Sequence, residues 1–140
     1  MAENWNDKVI AEFRTNRGEV GGNFGGSPLV LLHHVGRSSG KGYVAPVMYR
    51  RADDPDTIHV FASKGGHPEH PDWYRNLVAA GTATIELGAE TFPVTVTEVT
   101  GDERDRIYAA QVADFPGFGD YEEKTAGIRT IPVLQLTRVR

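Results

Sequence analysis

The sequence predicts an α+β, mainly β fold in which about six mostly antiparallel strands close into a barrel and three helices pack outside it. Most strand-like runs follow one another through short turns, with only two helical interruptions, whereas a parallel doubly wound sheet needs strands and helices to alternate. With 140 residues, of which 39% are hydrophobic and 24% charged, the chain fits one globular domain over residues 1–140.

The first half of the chain is predicted to form a helix and three strands. Trp5, Val9 and Phe13 recur at four-residue spacing, which gives a helix one apolar face, and Gly18 is a suitable end for it. A glycine-rich connector follows up to Pro28. Strands are then predicted over residues 29–35, 43–50 and 58–62.

The second half is predicted to contain two helices and three more strands. Pro71 suits the first turn of a helix, where its missing N–H is harmless, and Gly81 suits its end. Thr100 and Glu103 have the spacing of a capping box, which opens another helix. Strands are predicted over residues 82–87, 91–99 and 131–139, and residues 114–125 are predicted to be irregular.

Composition and charge exclude several classes of protein. The net charge of −4 argues against broad nucleic-acid binding, and the absence of cysteine excludes disulfides and thiolate metal sites. No apolar run reaches the length of a membrane helix and no secretory signal is visible, so we expect a cytoplasmic protein. His67, His70 and Asp72 have a spacing that metal ligands use, but Pro68 breaks the helix that would align the histidines, so no metal site is predicted.

The stretch GRSSGKG, residues 36–42, follows the first strand and has the composition of a phosphate-binding loop. It does not fit the nucleotide P-loop G-x-x-x-x-G-K-[ST]. The glycine spacing is one residue short, Gly42 stands where Ser or Thr is needed, and Pro46 breaks the helix that should follow. Two interpretations remain at this point, an anion site that uses Arg37 and Lys41 or a polar hairpin turn.

A second loop, ASKGG over residues 62–66, favours the anion site. Successive backbone N–H groups in such a segment can form an anion-binding nest, and the helix N-terminus near Asp72 also favours anions. Strand alternation places one of His33 and His34 inward. We expect that histidine to be a hydrogen-bonded structural or pocket residue rather than a catalyst.

An ordered set of motifs covers nearly the whole chain: the N-terminal helix, LVLLHHVGRSSGKGYVAPVMY, HVFASKGG, PDWYRNL and RTIPVLQL. In this set the chain resembles the deazaflavin-dependent nitroreductase family, small actinobacterial proteins that bind coenzyme F420. The resemblance implies a split β-barrel like that of FMN-binding oxidases, which agrees with the strands predicted above.

The resemblance implies a cofactor site built from both loops. The first loop would hold the phosphate and the start of the glutamate tail, while Pro46 and Ala62 would lie near the deazaflavin ring. Ser38 and Tyr43 depart from the Lys and Arg that family members often carry. The implied cofactor-binding residues are Arg37, Ser38, Ser39, Gly40, Lys41, Tyr43, Pro46, Ala62, Ser63, Lys64, Gly65, Gly66, Pro71, Trp73 and Tyr74.

Residues 114–125, DFPGFGDYEEKT, are interpreted as a lid over the cofactor. The implied substrate contacts are Phe115, Phe118, Tyr121 and Met48, and Tyr121 is the candidate catalytic residue, as a donor to charge that develops on the acceptor. Because two phenylalanines stand where relatives have hydroxyls, we expect quinone reduction with weak or absent nitroimidazole reduction. Phe118→Tyr is then expected to raise nitroreduction.

The activity implied is hydride transfer from reduced F420 to quinones, enones or nitroaromatics, in which the cofactor carries the chemistry. Two alternatives stay open: an FMN- or haem-binding split barrel, because a fold does not fix a function, and an F420 carrier without turnover. The expected partner is a small-molecule electron acceptor and no nucleic acid. Membrane association would be peripheral and arise only through quinone substrates, and the oligomeric state is left open.

Overall fold

The computed structural model of the protein describes residues 5–16 and 28–139. Within these ranges the chain forms four α-helices, six β-strands and a 3₁₀ turn. The helices are α1 (Trp5–Thr15), α2 (Asp72–Ala80), α3 (Gly101–Asp114) and α4 (Gly117–Thr125), and the 3₁₀ turn is Lys64–Gly66. The strands are β1 (Leu29–Val35), β2 (Gly42–Arg51), β3 (Thr57–Phe61), β4 (Thr82–Leu87), β5 (Glu90–Val99) and β6 (Val133–Arg138).

The strands close into a barrel in the order β1-β2-β3-β6-β5-β4, and every neighbouring pair is antiparallel. The predicted fold class is therefore confirmed, and each predicted strand lies within two residues of an observed one. The prediction of three helices was wrong by one, because α4 lies in the segment that was expected to be irregular. Gly18 and most of the glycine-rich connector lie outside the described residues.

Alternation along the strands divides the apolar residues between the barrel interior and its outer surface. Val30 and Leu32 point inward with Ile58, Val60 and Leu134. Two outer clusters attach the helices. One joins α1 to β1 through Val9, Phe13, Leu29 and Leu31, and the other joins α3 and α4 to the outer face of β3 and β6.

The barrel is split along β2. Residues 42–48 pair with β1, but only residues 49–51 pair with β3. Among the described strands, residues 42–48 of β2 therefore have a partner on one side only. The Tyr49 N–H donates to the Pro28 carbonyl, and alternation from that bond turns the nitrogen of Pro46 away from β1. Proline fits there because it cannot donate to a ladder, and no strand among the described residues pairs with this edge.

The antiparallel order brings both predicted loops to one end of the barrel. β1 and β3 run in the same direction, so residues 36–41 after β1 and residues 62–71 after β3 emerge at the same end, on either side of the split. The start of α2 and the chain that leads into β6 lie at this end too. The candidate site is therefore positioned by topology rather than by sequence proximity.

Two helix starts differ from the sequence-based expectation. Pro71 precedes α2 as its N-cap instead of lying in the first turn, and Gly81 ends the helix in a left-handed conformation with φ of +74°, as predicted. Thr100 is the N-cap of α3 but its side chain makes no capping hydrogen bond, so the predicted capping box is wrong. Gly101 has a φ of +65° and turns the chain between Thr100 and the helix.

Candidate cofactor site

The first loop and the first turns of α2 enclose an open cleft of about 500 Å³. The loop side is formed by a tight turn in which the Gly40 N–H donates to the Gly36 carbonyl and the Gly36 N–H donates to the Lys41 carbonyl. Gly40 adopts a φ of +73°, which favours glycine. The predicted residues that line the cleft are Arg37, Ser38, Ser39, Tyr43 and Trp73, together with His34, Asp72 and Asn76.

A buried amide joins the two walls of this cleft. The Oδ1 of Asn76 accepts hydrogen bonds from the backbone N–H of Arg37 (3.1 Å) and from its Nη1 (2.9 Å). The Nδ2 of Asn76 lies 2.9 Å from the Nδ1 of His34, whose ring stacks on Tyr43. Asn76 is 4% exposed. The guanidinium of Arg37 is thus held at the cleft, with a looser contact of 3.9 Å to Asp72.

The second loop has the backbone shape of an anion-binding nest. Ser63 is right-handed, with φ of −75° and ψ of −36°, and Lys64 follows with φ of +48°. A right-handed residue followed by a left-handed one turns successive N–H groups toward one concave side. Gly66, with φ of +82°, closes the turn by donating to the Ser63 carbonyl.

A residue far along the chain fixes this second loop. The guanidinium of Arg129 donates to the carbonyls of Ala62 (3.0 Å), Ser63 (2.7 Å) and His67 (3.0 Å). It also lies 3.0 Å from the Nδ1 of His70. Burial lowers the pKa of Arg129 from its ordinary value, but that value is so high that the group stays charged. Arg129 therefore occupies the carbonyl side of the loop and leaves the N–H side for a ligand.

The aromatic residues of the predicted substrate site gather on the outer cluster beside the second loop. Phe118 is 6% exposed and meets Phe61, Tyr108 and Tyr121 edge to face. Half-buried side chains pack around that cluster, namely Met48, Phe115 and Tyr121. Phe118 is thus enclosed by other aromatic rings. The expectation that Phe118→Tyr raises nitroreduction stays a prediction.

Most of the segment predicted to be an irregular lid forms the helix α4, which hydrogen bonds and packing hold in place. The Tyr108 hydroxyl donates to the Phe118 carbonyl at 2.7 Å, and Arg104 links α3 to Glu122 of α4 and to the Ile131 carbonyl. A Cβ placed on Gly66 would lie 3.3 Å from the Cα of Tyr121, so α4 rests directly on the second loop. The helix brings Tyr121 to the loop.

Other predicted cofactor residues do not line the cleft. Tyr74 faces β5, where its hydroxyl donates to Glu98 at 2.8 Å, and burial raises its pKa to about 12. Lys41 does not line the cleft, and its ammonium lies 5.6 Å from the Tyr43 ring centroid. Pro71 and Ala62 are buried.

Sequence reasoning gave no role to Asn76 or Arg129. Asn76 precedes Leu77 on the buried side of α2, and a polar residue in an apolar helical face was the available signal. Arg129 lies within the quoted motif RTIPVLQL, but nothing local indicates its partners, which are 59–67 residues away.

Two further properties of the described residues bear on the class of protein. No three His, Asp or Glu side chains in ranges 5–16 and 28–139 come together as a metal ion would need. In the same ranges, no helix is both long and apolar enough to span a membrane.

A six-stranded barrel that is split along one strand, with two donor-rich loops at the split, defines a cofactor-binding split β-barrel.

The chain belongs to the F420H(2)-dependent quinone reductase family, whose model matches residues 5–138. It is therefore an oxidoreductase and its cofactor is coenzyme F420, so the resemblance and the cofactor predicted from the sequence are confirmed. A Mycobacterium tuberculosis protein provisionally named as such a reductase is 37% identical over 109 residues, which are 78% of this chain and 88% of the relative. An F420H(2)-dependent quinone reductase of M. tuberculosis is 33% identical over 132 residues, 91% of this chain and 86% of that protein.

Solved structures agree with this assignment. An F420-H2 dependent reductase (FDR-A) is 34% identical with a TM-score of 0.67, over 78% of this chain and 93% of that one. The haem storage protein HutZ of Vibrio cholerae has a TM-score of 0.58, over 96% of this chain and 90% of that one, at 15% identity. That second likeness concerns the fold alone, so it does not favour haem as a ligand here.

Proposed function

We propose that this protein reduces quinones with reduced F420, and that the anionic tail of F420 binds between the two loops. The observation that carries the proposal is the pair of donor-rich loops on either side of the split, held by Asn76 on one side and Arg129 on the other. When bound, F420 supplies a hydride to the acceptor. The protein's own residues bind, orient and shield the cofactor and the acceptor.

The residues around the cleft fit the chemistry of a phosphorylated, glutamylated cofactor. Arg37 offers a fixed cation at the cleft, and the nest at Ser63 and Lys64 offers oriented N–H donors. Trp73 lines the same cleft and is half-buried, so its ring can pack on the ligand. Lys41 and Lys64 are exposed and add positive potential in a chain of net charge −4.

The substrate preference follows from the aromatic group beside the second loop. Met48 and Phe115 offer apolar contact, and Tyr121 offers one phenol. A flat quinone needs stacking and one or two donors to its oxygens. A nitro group needs more charge stabilisation, and one missing donor at such a site costs on the order of a hundredfold in rate. We therefore place quinones first, with enones and nitroaromatics as weaker substrates.

The proposal is tested by titrating the protein with reduced F420 and then adding quinones, enones and nitroaromatics. Arg37→Gln with Lys41→Gln should weaken cofactor binding by about tenfold or more, with a smaller salt dependence than the native protein. Arg106→Gln with Lys8→Gln is the matched control, since both positions are exposed and lie on helices α3 and α1 rather than in the loops. Unchanged affinity in the loop variant would contradict the placement of the tail, and binding without quinone turnover would indicate a carrier.

A further inference from the structure

The hydrogen bonds of Asn76 decide which nitrogen of His34 carries a proton. Arg37 can only donate, and two of its N–H groups approach the same atom of the Asn76 amide, so that atom is the oxygen. The amide nitrogen therefore faces His34 and donates to its Nδ1 at 2.9 Å. A neutral imidazole that accepts at Nδ1 carries its proton at Nε2.

The second ring nitrogen of His34 is free to serve a ligand. His34 lines the cavity beside Arg37, and stacking on Tyr43 at 5.4 Å between ring centroids fixes the plane of the ring. Among the hydrogen bonds of the described residues, none uses its Nε2. Burial lowers the pKa of His34, which keeps the ring neutral near pH 7. His34 thus offers one oriented, uncharged donor next to a fixed cation.

We propose that Asn76 is a positioning residue that fixes His34 as the tautomer whose Nε2–H faces the cleft, and that this N–H donates to an oxygen of the bound cofactor's anionic tail. The inference rests on the proposed binding of that tail between the loops. The acceptor is either the phosphate or a glutamate carboxylate. Both are oxyanions, and both suit a neutral donor beside the Arg37 guanidinium.

The tautomer is measured without any ligand, by nitrogen-15 NMR of the histidine rings in the protein. We expect the His34 Nε2 to be protonated and its Nδ1 to be bare. Asn76→Asp still accepts from Arg37 but cannot donate to His34, so the Nδ1 signal should become that of a protonated nitrogen. Gln135→Glu is the control, since it changes another amide beside a histidine: the Oε1 of Gln135 lies 3.3 Å from the Nε2 of His59, and the His34 signals should stay as in the native protein. A native His34 that is protonated at Nδ1 would overturn the proposal.

Cofactor affinity tests the second half of the proposal. His34→Phe keeps a ring on Tyr43 and removes the donor, so we expect binding about tenfold weaker, while His34→Gln, which keeps an N–H at that position, should bind within about threefold of the native protein. His34→Leu repeats the loss should the Phe variant fail to fold. Native affinity in a folded variant that lacks the donor would overturn the assignment.

Truncated cofactors separate the two acceptors. A loss that persists without the glutamates identifies the phosphate, and a loss that requires them identifies a carboxylate. An equal loss with a deazaflavin riboside that has neither group would overturn the proposal, because the donor would then serve another part of the ligand. Absence of F420 binding to the native protein, with the expected tautomer present, would refute the proposed function instead.

Discussion

At the scale of single residues, two buried or half-buried polar side chains shape the candidate site. Asn76 orients Arg37 and His34 on one side of the split. On the other side, Arg129 donates hydrogen bonds to the carbonyls of the second loop. A buried polar group is tolerated when its hydrogen bonds are made, and a loop whose carbonyls are occupied presents its N–H groups. Under the proposed function, both residues orient donors for the anionic tail of F420 in the absence of ligand.

We expect Arg129→Met to destabilise the protein by about 2 kcal/mol, because three carbonyls lose a charged donor and the loop loses its shape. The free energy of unfolding in urea measures the loss, and F420 affinity should fall with it. Arg106→Met on the exposed face of α3 is the control and should change stability by less than about 0.5 kcal/mol. Equal stability of the two variants would show that Arg129 does not fix the loop.

At the scale of elements, α4 and the 3₁₀ turn form one packed unit. A Cβ on Gly66 would lie 2.8 Å from the Cδ of Lys124 and 3.3 Å from the Cα of Tyr121, and the residue also has a left-handed φ. The helix itself contains Gly117 and Gly119, which are weak helix formers, so its stability comes from burying Phe118 and from the bond that Tyr108 makes.

Gly66→Ala should therefore separate α4 from the second loop. Gly127→Ala is the matched control, because Gly127 has a similar φ of +77° but no atom of the described residues within 4 Å of the added carbon. Both variants carry backbone strain of about 1–2 kcal/mol, and only Gly66→Ala adds the contact with backbone. We expect Gly66→Ala to be less stable than the control and to bind F420 more weakly. Equal affinity in the two variants would contradict a role for this packing.

The split in β2 has a measurable dynamic consequence. Residues 43–48 have strand pairing on one side, whereas β6 is paired along both edges. In hydrogen–deuterium exchange, a peptide that covers residues 43–48 should exchange sooner than one that covers β6. Addition of F420 should slow the β2 peptide and leave β6 unchanged. No slowing at saturating F420 would place the ligand elsewhere.

At the scale of the whole molecule, several buried or half-buried groups couple stability to pH. Burial lowers the pKa of His34, His59 and His70, so the folded state binds fewer protons than the unfolded chain. Stability should therefore fall as pH drops below about 6.5. The hydrogen bond from Arg14 lowers the pKa of Glu86, so its contribution is present above pH 4.5 and is lost below it.

Urea unfolding at pH 7, 5.5 and 3.5 measures both windows. Glu86→Gln should be less stable than the native protein at pH 7, and the difference should shrink at pH 3.5, where the native carboxyl is protonated. Glu123→Gln, an exposed position on α4, is the control and should follow the native curve. A constant difference between Glu86→Gln and the native protein at all three pH values would refute the contribution of the Arg14 bond.

The sequence by itself determined the strands, the antiparallel barrel and the two loops that carry the cofactor motifs. Strand periodicity, turn residues and the Gly81 helix end depend on neighbouring positions, so they can be recognised locally in the sequence. The short turns between successive strands then indicate antiparallel pairing. The family resemblance added F420, since an ordered set of motifs is preserved along the chain. The segment that became α4 escaped prediction because its glycines and Pro116 lower helix propensity, and only packing against Phe61 and Tyr108 overrides that.

Only the tertiary structure decided how the loops are held and where the barrel opens. Asn76 lies 39 residues from Arg37 and Arg129 lies 66 residues from Ser63, so no periodicity relates the partners. The split likewise depends on where β3 stops pairing with β2, which is at the Tyr49–Val60 pair. Contacts between distant segments follow from packing of the folded chain, and local propensity contains no record of them.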